Sequence, residues 1–337
     1  MLATLMITMV ILLFLGFPMM IPMIVAPLIV LIGFLSNLDP AMMIQQLIAG
    51  ISTFVLLAVP MFIFAADIMC TGQTANRLVD LVESFIGHVH GGMAITTAAA
   101  CTLFGAISGS TQATVVAIGK PMRQKLLQIG YKDTDTIGLI INSSDIALLI
   151  PPSIGMIMYA VVTGSSVGEL FIAGIGPGLL ILLFFSIYNY FFAKYKGIPR
   201  TPKSSWKQRG QAIKKALLPL GFPLIIIGGI YSGFFSPTED AAASVLYAII
   251  LEVFVFKSIT LRDLPSIATS TGIVTAAVFI LVAGGQAFSW VISYARIPQM
   301  IATGVLGTSP SALKVLFTVT IFYFIGCMFV DPIVVIV

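Results

Sequence analysis

The stretch Gly105-Ala106-Ile107-Ser108-Gly109-Ser110-Thr111 lies between two apolar runs, and Asn142-Ser143-Ser144-Asp145, inside a third, is followed by Pro151-Pro152. These two polar breaks decide the fold. A lipid-exposed helix has no use for them, because each backbone group left unsatisfied in hydrocarbon costs several kcal/mol. Broken backbone at membrane depth is tolerated where it is buried in protein or lines a wet cavity.

The surrounding composition places the breaks in a bilayer. Of 337 residues, 58% are hydrophobic and 9% charged, with a mean hydropathy of +1.09. A soluble domain carries about 25% charge, so this is an all-α polytopic membrane protein. The net charge of +4 comes from basic residues in loops between apolar runs and does not indicate nucleic-acid binding. Cys70, Cys101 and Cys327 are far apart in apolar segments and read as small hydrophobes. With only His88 and His90 available, a histidine-based metal site is not expected. The N-terminus, lacking a basic region and a small-residue cleavage site, reads as a first span.

Apolar runs predict long helices near residues 2–33, 45–71, 169–193, 215–232, 238–256 and 266–291. Three further regions are interrupted: 92–107 with 111–128, 134–149 with 153–163, and 311–330, which runs into Asp331-Pro332. Residues 72–91 mix Arg77, Asp80, Glu83, His88 and His90 with apolar positions, as an amphipathic interfacial helix or connecting arm does. Basic clusters set the orientation. Lys194, Lys196, Arg200, Lys203, Lys207, Arg209, Lys214 and Lys215 form one, with no acid among them, and Lys120, Arg123, Lys125 and Lys132 form another. With loops 120–132 and 194–215 in the cytoplasm, all seventeen Lys and Arg except Arg296 and Lys314 fall inside.

Under that orientation 92–128 enters from the cytoplasm and returns to it as a re-entrant hairpin, while the segment at 311 enters from the opposite face. Leu38-Asp39-Pro40 and Asp263-Leu264-Pro265 occupy similar places in the two halves. The expectation is an inverted repeat with one hairpin per face, a carrier architecture. Scaffold helices and arm occupy 1–91, and hairpin 1 and a proline-broken helix occupy 92–163. A scaffold helix and basic loop follow at 164–214, the second-repeat scaffold at 215–310, and the start of hairpin 2 at 311–337.

Phe104 to Ser110, with Ala113-Thr114 and Ile118-Gly119, resembles the hairpin of the large membrane subunit of tripartite ATP-independent periplasmic (TRAP) transporters. So do Ile150-Pro151-Pro152-Ser153-Ile154 with Tyr159, Leu170-Phe171-Ile172-Ala173-Gly174 with Pro177-Gly178, and Gly233-Phe234-Phe235-Ser236-Pro237-Thr238-Glu239. Gly87-His88, Gly91-Gly92 and the stretch from Gly326 to Asp331-Pro332 add to the likeness, which runs in order over nearly the whole chain. Ser236 stands where the family usually has Thr, Gln112 where it often has a small residue or Pro, and Asn142 to Asp145 is more polar than usual. The family continues past the second hairpin, so the chain ending at Val337 is expected to be part of a longer protein.

The resemblance implies an elevator-type carrier of a bacterial inner membrane. It implies a periplasmic binding protein that delivers an organic acid (sialic acid, another sugar acid or a C4-dicarboxylate), a small four-helix membrane subunit, and a sodium gradient as driving force. Na⁺ would be the coupling ion, with no organic cofactor and no transition metal.

The chemistry of the breaks fits those roles. A hairpin tip exposes the carbonyl end of one helix, suited to Na⁺, and the N–H end of the next, suited to a carboxylate. Ser108, Gly109, Ser110 and Thr111 are the tip; the alternative is a packing kink of small residues. Pro151 and Pro152 free carbonyls about one turn upstream, near Ala147 and Leu148. Those oxygens, with Asn142 and Asp145, would complete a sodium shell. Asp145 is alternatively a structural partner of the hairpin N–H groups. Gly326 and Asp331 are candidates for a second sodium site, with helix capping as the other reading of Asp331. Substrate would meet Ser110, Gln112, Ser143, Ser144, Pro152 and Ser153.

Asp67 either snorkels or functions, Glu239 and Asp240 either cap a helix or contact a partner, and Trp206 and Trp290 anchor at interfaces. Nothing supports an enzyme: no Ser/His/Asp set falls at one depth. A channel would lack the inverted hairpins. The competing reading is a stand-alone anion or sodium/proton carrier that needs no binding protein.

Overall fold

In a computed structural model, which describes residues 1–35, 37–307, 310–328 and 332–336, every regular element is helical. The chain forms two compact units, residues 1–54 with 274–337, and residues 55–273.

The first unit begins with α1 (Leu2–Phe14), α2 (Met20–Phe34) and α3 (Ala41–Ile51). The single span expected at 2–33 is therefore two helices. Gly16 sits at φ +80°, where side chains are strained, and Pro18 has no N–H to continue a helical ladder. The chain reverses there, and α1 and α2 pack antiparallel around Leu5, Ala26 and Val30. The run expected at 45–71 is broken too. Ser52 ends α3 by donating its hydroxyl to the Ile48 carbonyl at 2.7 Å, and a 3₁₀ turn over Phe54–Leu57 precedes α4 (Ala58–Thr71).

The second unit continues with α5 (Thr74–Ile86), α6 (Gly92–Ser108), α7 (Thr111–Ile129), α8 (Asp133–Ser144) and α9 (Ile154–Thr163). After these come α10 (Val167–Lys196), α11 (Trp206–Tyr231) and α12 (Pro237–Ile249). The last long helix, α13 (Leu264–Tyr294), starts in this unit and ends in the first, followed by α14 (Ile297–Leu306), α15 (Ala312–Cys327) and α16 (Pro332–Ile336). The segments Phe54–Thr71, Val167–Lys196, Trp206–Tyr231 and Leu264–Tyr294 are each long and apolar enough to cross a membrane.

At the centre of the second unit lies α6, enclosed by α4, α5, α7, α8 and α10. Only Ala99 and Leu103 along it are not fully buried. A helix buried all round must be small-sided, because in lipid close packing replaces water exclusion as the driving force. Gly105 shows the fit: a Cβ there would run into Ala147.

The arm at 72–91 is helical over α5 and turns Ala75, Leu78, Val79 and Val82 inward. Lys125 Nζ reaches Glu83 at 2.6 Å, tying the arm to α7. Buried Arg209 of α11 donates to the Ser84 carbonyl at 3.1 Å and lies over the rings of Phe85 and Trp206. Trp206 is thus a packing partner as well as an exposed aromatic.

The expected helix at 238–256 runs from α12 into a π-helical turn over Ile250–Val255. That turn inserts Glu252, fully buried, against the start of α5. Its carboxylate accepts from Gln73 N and Thr74 N, both at 3.1 Å, and from the Thr74 and Ser258 hydroxyls. A buried carboxylate on free N–H groups at a helix start is favourable in charge and in hydrogen bonding. At the α7–α8 connection Arg123 holds Asp133 at 2.8 and 2.9 Å. This hydrogen-bonded pair lowers the Asp133 carboxyl below its ordinary range.

Candidate functional site: a hairpin tip docked on a broken helix

The tip forms because its residues suit a helix end followed at once by a helix start. After Ser108 ends α6, Gly109 adopts φ +59° and its N–H bonds back to the Gly105 carbonyl at 2.9 Å. Ser110 is extended and caps α7, accepting from Ala113 N at 3.5 Å. Its hydroxyl donates to Gln112 Oε1 at 3.0 Å. Ser108 is fully buried; its Oγ lies 3.0 Å from Thr114 Oγ1 and donates to the Ser110 carbonyl at 3.3 Å. Thr114 donates to the same carbonyl at 2.8 Å. The buried hydroxyl of Thr111 has no hydrogen-bond partner among the described residues.

The broken helix meets this tip. α8 ends at Ser144, a 3₁₀ turn covers Asp145–Leu148, and α9 restarts after Ser153. Ser153 caps α9 through Met156 N at 3.2 Å and donates to the Leu148 carbonyl at 2.6 Å. The Leu148 oxygen, expected to be freed by the proline pair, therefore has a hydroxyl donor already. Pro151, lacking N–H, gives nothing to the Ala147 carbonyl. Ile154 N donates to the Gly109 carbonyl at 3.2 Å, joining tip and break by backbone. A Cβ on Gly109 would collide with the Pro152 carbonyl. The geometry thus seats Gly109 of the tip on the segment 152–154, with Ser108, Ser110 and Thr111 on either side of it in the chain.

The remaining expected site residues lie around or away from that contact. Ser144 donates to the Ile140 carbonyl at 2.8 Å and sits 3.5 Å from Cys101 Sγ on α6. Ser143 is fully buried but faces a cleft between α8 and α10, and its hydroxyl has no partner among the described residues. Asn142 is exposed and donates to the Gly138 carbonyl at 2.7 Å. Asp145 and Gln112 are also exposed. Gly326 belongs to the other unit, on α15 beside Val335. Asp331 lies outside the described residues.

The structure separates the alternatives for three acidic residues. Asp67 does not simply snorkel: its Oδ2 accepts from Thr271 Oγ1 at 2.6 Å. Glu239 does cap, in a reciprocal box with Ser236, accepting from Ser236 N at 2.8 Å and Oγ at 2.7 Å. Its neighbour Asp240 does not. It is fully buried and turned towards Gly229 of α11, and neither carboxyl oxygen has a hydrogen-bond partner among the described residues. Glu252, the buried carboxylate that the π-helical turn sets against the start of α5, is absent from the candidates read in the sequence. Its signal was an acid inside an apolar run, the same signal that singled out Asp145.

Residues 6–337 match the family model described as "Tripartite ATP-independent periplasmic transporter, DctM component". The chain is 59% identical to the ectoine/5-hydroxyectoine TRAP transporter large permease protein of Ruegeria pomeroyi, over 99% of this chain and 78% of the relative. Identity to the ectoine TRAP transporter large permease protein of Halomonas elongata is 58%, over 98% and 77%. Identity to the C4-dicarboxylate TRAP transporter large permease protein of Pseudomonas aeruginosa is 38%, over 83% and 65%. These relatives are named as permeases, and such large permeases work beside a substrate-binding and a small permease component. The docked hairpin, the broken helix and the apolar helical frame are those of a membrane-embedded carrier for organic-acid uptake, and the chain belongs to the TRAP transporter large-permease family.

Proposed function

We propose that this chain is the carrier subunit of a sodium-coupled uptake system for ectoine or 5-hydroxyectoine, working by an elevator movement in a bacterial inner membrane. The substrate reading rests on the 58–59% identity to two ectoine permeases against 38% to a dicarboxylate permease. It replaces sialic acid or a dicarboxylate as the favoured cargo. The observation that carries the ion reading is the tip itself. Ser108, Ser110 and Thr111 present neutral oxygens next to a broken helix. Na⁺ is a hard cation that takes oxygen ligands from carbonyls and hydroxyls. The N-terminus of α7 directs N–H groups to the same place and suits the ectoine carboxylate.

In this reading a periplasmic binding protein hands over the substrate and a small membrane subunit braces the scaffold. Sodium and substrate occupy the tip together, and the hairpin and broken helix move as one body, joined by the backbone hydrogen bond from Ile154 N to the Gly109 carbonyl and by the close seat of Gly109 on Pro152. The test is uptake of labelled ectoine by cells carrying the complete three-component system. Uptake should require both the binding protein and a sodium gradient. Equal uptake with choline in place of sodium would refute the coupling; uptake without the binding protein would favour a stand-alone carrier; uptake of a C4-dicarboxylate alone would refute the substrate.

A further inference from the structure

The cleft between α8 and α10 carries chemistry that the hairpin tip does not use. It encloses about 290 Å³ and lies wholly within the second unit, at the small end of ligand pockets. One wall is aromatic. The Phe192 ring stacks with Tyr131 (centroids 6.5 Å apart, planes at 18°) and with Tyr188 (5.7 Å, 26°). The other wall is polar, because Asp135, Asn142 and Ser143 follow the helical repeat along one side of α8. Tyr131 Oη and Ser143 Oγ are buried there without hydrogen-bond partners among the described residues. The Asp135 carboxylate likewise has neither an ion pair nor a hydrogen bond among them. Among the described residues no lysine, arginine or histidine lines the cleft; the cation near its wall, Lys196 Nζ, stands 5.8 Å from the Phe192 ring centroid.

A buried hydroxyl left unpaired is unfavourable, and the two that face this cleft suit a ligand able to hydrogen-bond them. Asp135 disfavours an anion and favours a ligand that donates hydrogen bonds and carries positive charge. Aromatic faces attract cations, and a flat ring suits a flat cation. The geometry points to a second substrate subsite, for the planar, delocalised cation of a small zwitterion. This inference rests on the uptake reading above, since ectoine pairs a carboxylate with a cyclic amidinium. No residue of the hairpin tip lines the cleft, and ectoine carries its carboxylate on the same small ring as the amidinium, so the cleft takes a whole second molecule, ring against the aromatic wall and carboxylate towards the open mouth. Ser143 and Asn142, next to the polar break of α8, put the subsite on the side of the broken helix that Ser144 does not face.

The experiment reads occupancy of the cleft itself. In the full-length chain, assembled with its small membrane subunit and freed of its native cysteines, Leu139→Cys places a thiol in the cleft wall. Maleimide labelling of that thiol is timed with ectoine, with acetamidinium as a bare delocalised cation, or with succinate. At four times the dissociation constant a bound ligand should slow labelling about fivefold. Ectoine and acetamidinium should protect and succinate should not. Asp135→Asn and Tyr188→Leu should abolish protection, and Tyr188→Phe should keep it. Protection by neither cation, equal protection by succinate, or protection that survives both Asp135→Asn and Tyr188→Leu would overturn the subsite. If acetamidinium protects while the complete system takes up no ectoine, the cleft stands as a cation site and the ectoine reading alone fails.

Discussion

Ser108 and Gly109 are adjacent, and their roles separate cleanly by experiment. Ser108 Oγ bridges Thr114 and Ser110 inside the tip. Under the proposed sodium coupling, removing the Ser108 oxygen should weaken sodium binding while leaving the fold, since alanine fits the same space. Ser108→Ala should raise the sodium concentration for half-maximal uptake roughly three- to tenfold, where tenfold corresponds to about 1.4 kcal/mol. Unchanged sodium dependence would leave Ser108 a structural bridge only. Gly109 has the opposite character. Its φ of +59° costs a side chain about 1–2 kcal/mol, and the Pro152 carbonyl already occupies the space for a Cβ. Gly109→Ala should therefore lower the thermal stability of the solubilised protein as well as uptake. A variant with the parent melting temperature would show that the tip does not rest on the broken helix.

Buried polar contacts pin particular elements of this chain to each other. The π-turn after α12 is the clearest case, because it places one carboxylate on the start of the arm helix α5. Glu252→Ala leaves two backbone N–H groups and the Thr74 hydroxyl without acceptors in a buried place. At about 1–3 kcal/mol for an unsatisfied group, the loss should be on the order of 3 kcal/mol. Glu252→Gln keeps one acceptor oxygen and should lose less. Melting of the two purified variants tests the order; equal stability of Glu252→Ala and the parent would mean the arm is held by its apolar face alone. The arm's apolar positions were readable from their helical spacing at Ala75, Leu78, Val79 and Val82. The pin was not, because nothing near Gln73 announces a partner 179 residues away.

For the whole molecule the open prediction is direction. The basic segment 194–215, which is the end of α10, a short loop and the start of α11, carries eight lysines and arginines and no acid, and such segments stay on the cytoplasmic side. A single thiol introduced by Lys203→Cys in a background without native cysteines should react with an impermeant maleimide only in inside-out vesicles. Reaction in intact spheroplasts would invert the topology and with it the side from which the hairpin enters.

Composition and punctuation alone were enough for the class. Nine percent charge and long apolar runs require a polytopic helical protein. Gly109, Ser110 and the proline pair require a hairpin end and a broken helix, because glycine and proline constrain the backbone whatever surrounds them. The same logic was available at Gly16 and Pro18 but was outweighed by the hydropathy of the run, and there the chain turns. Tertiary structure decided the pairings. That the Gly109 carbonyl meets Ile154 N, that Ser143 and Ser144 face different neighbours of α8, and that Asp240 turns inward while Glu239 caps all depend on which helices lie against which. A one-residue step on a helix turns a side chain by about 100°, so local sequence can name a polar break but only the packed neighbours determine which of its groups face each other.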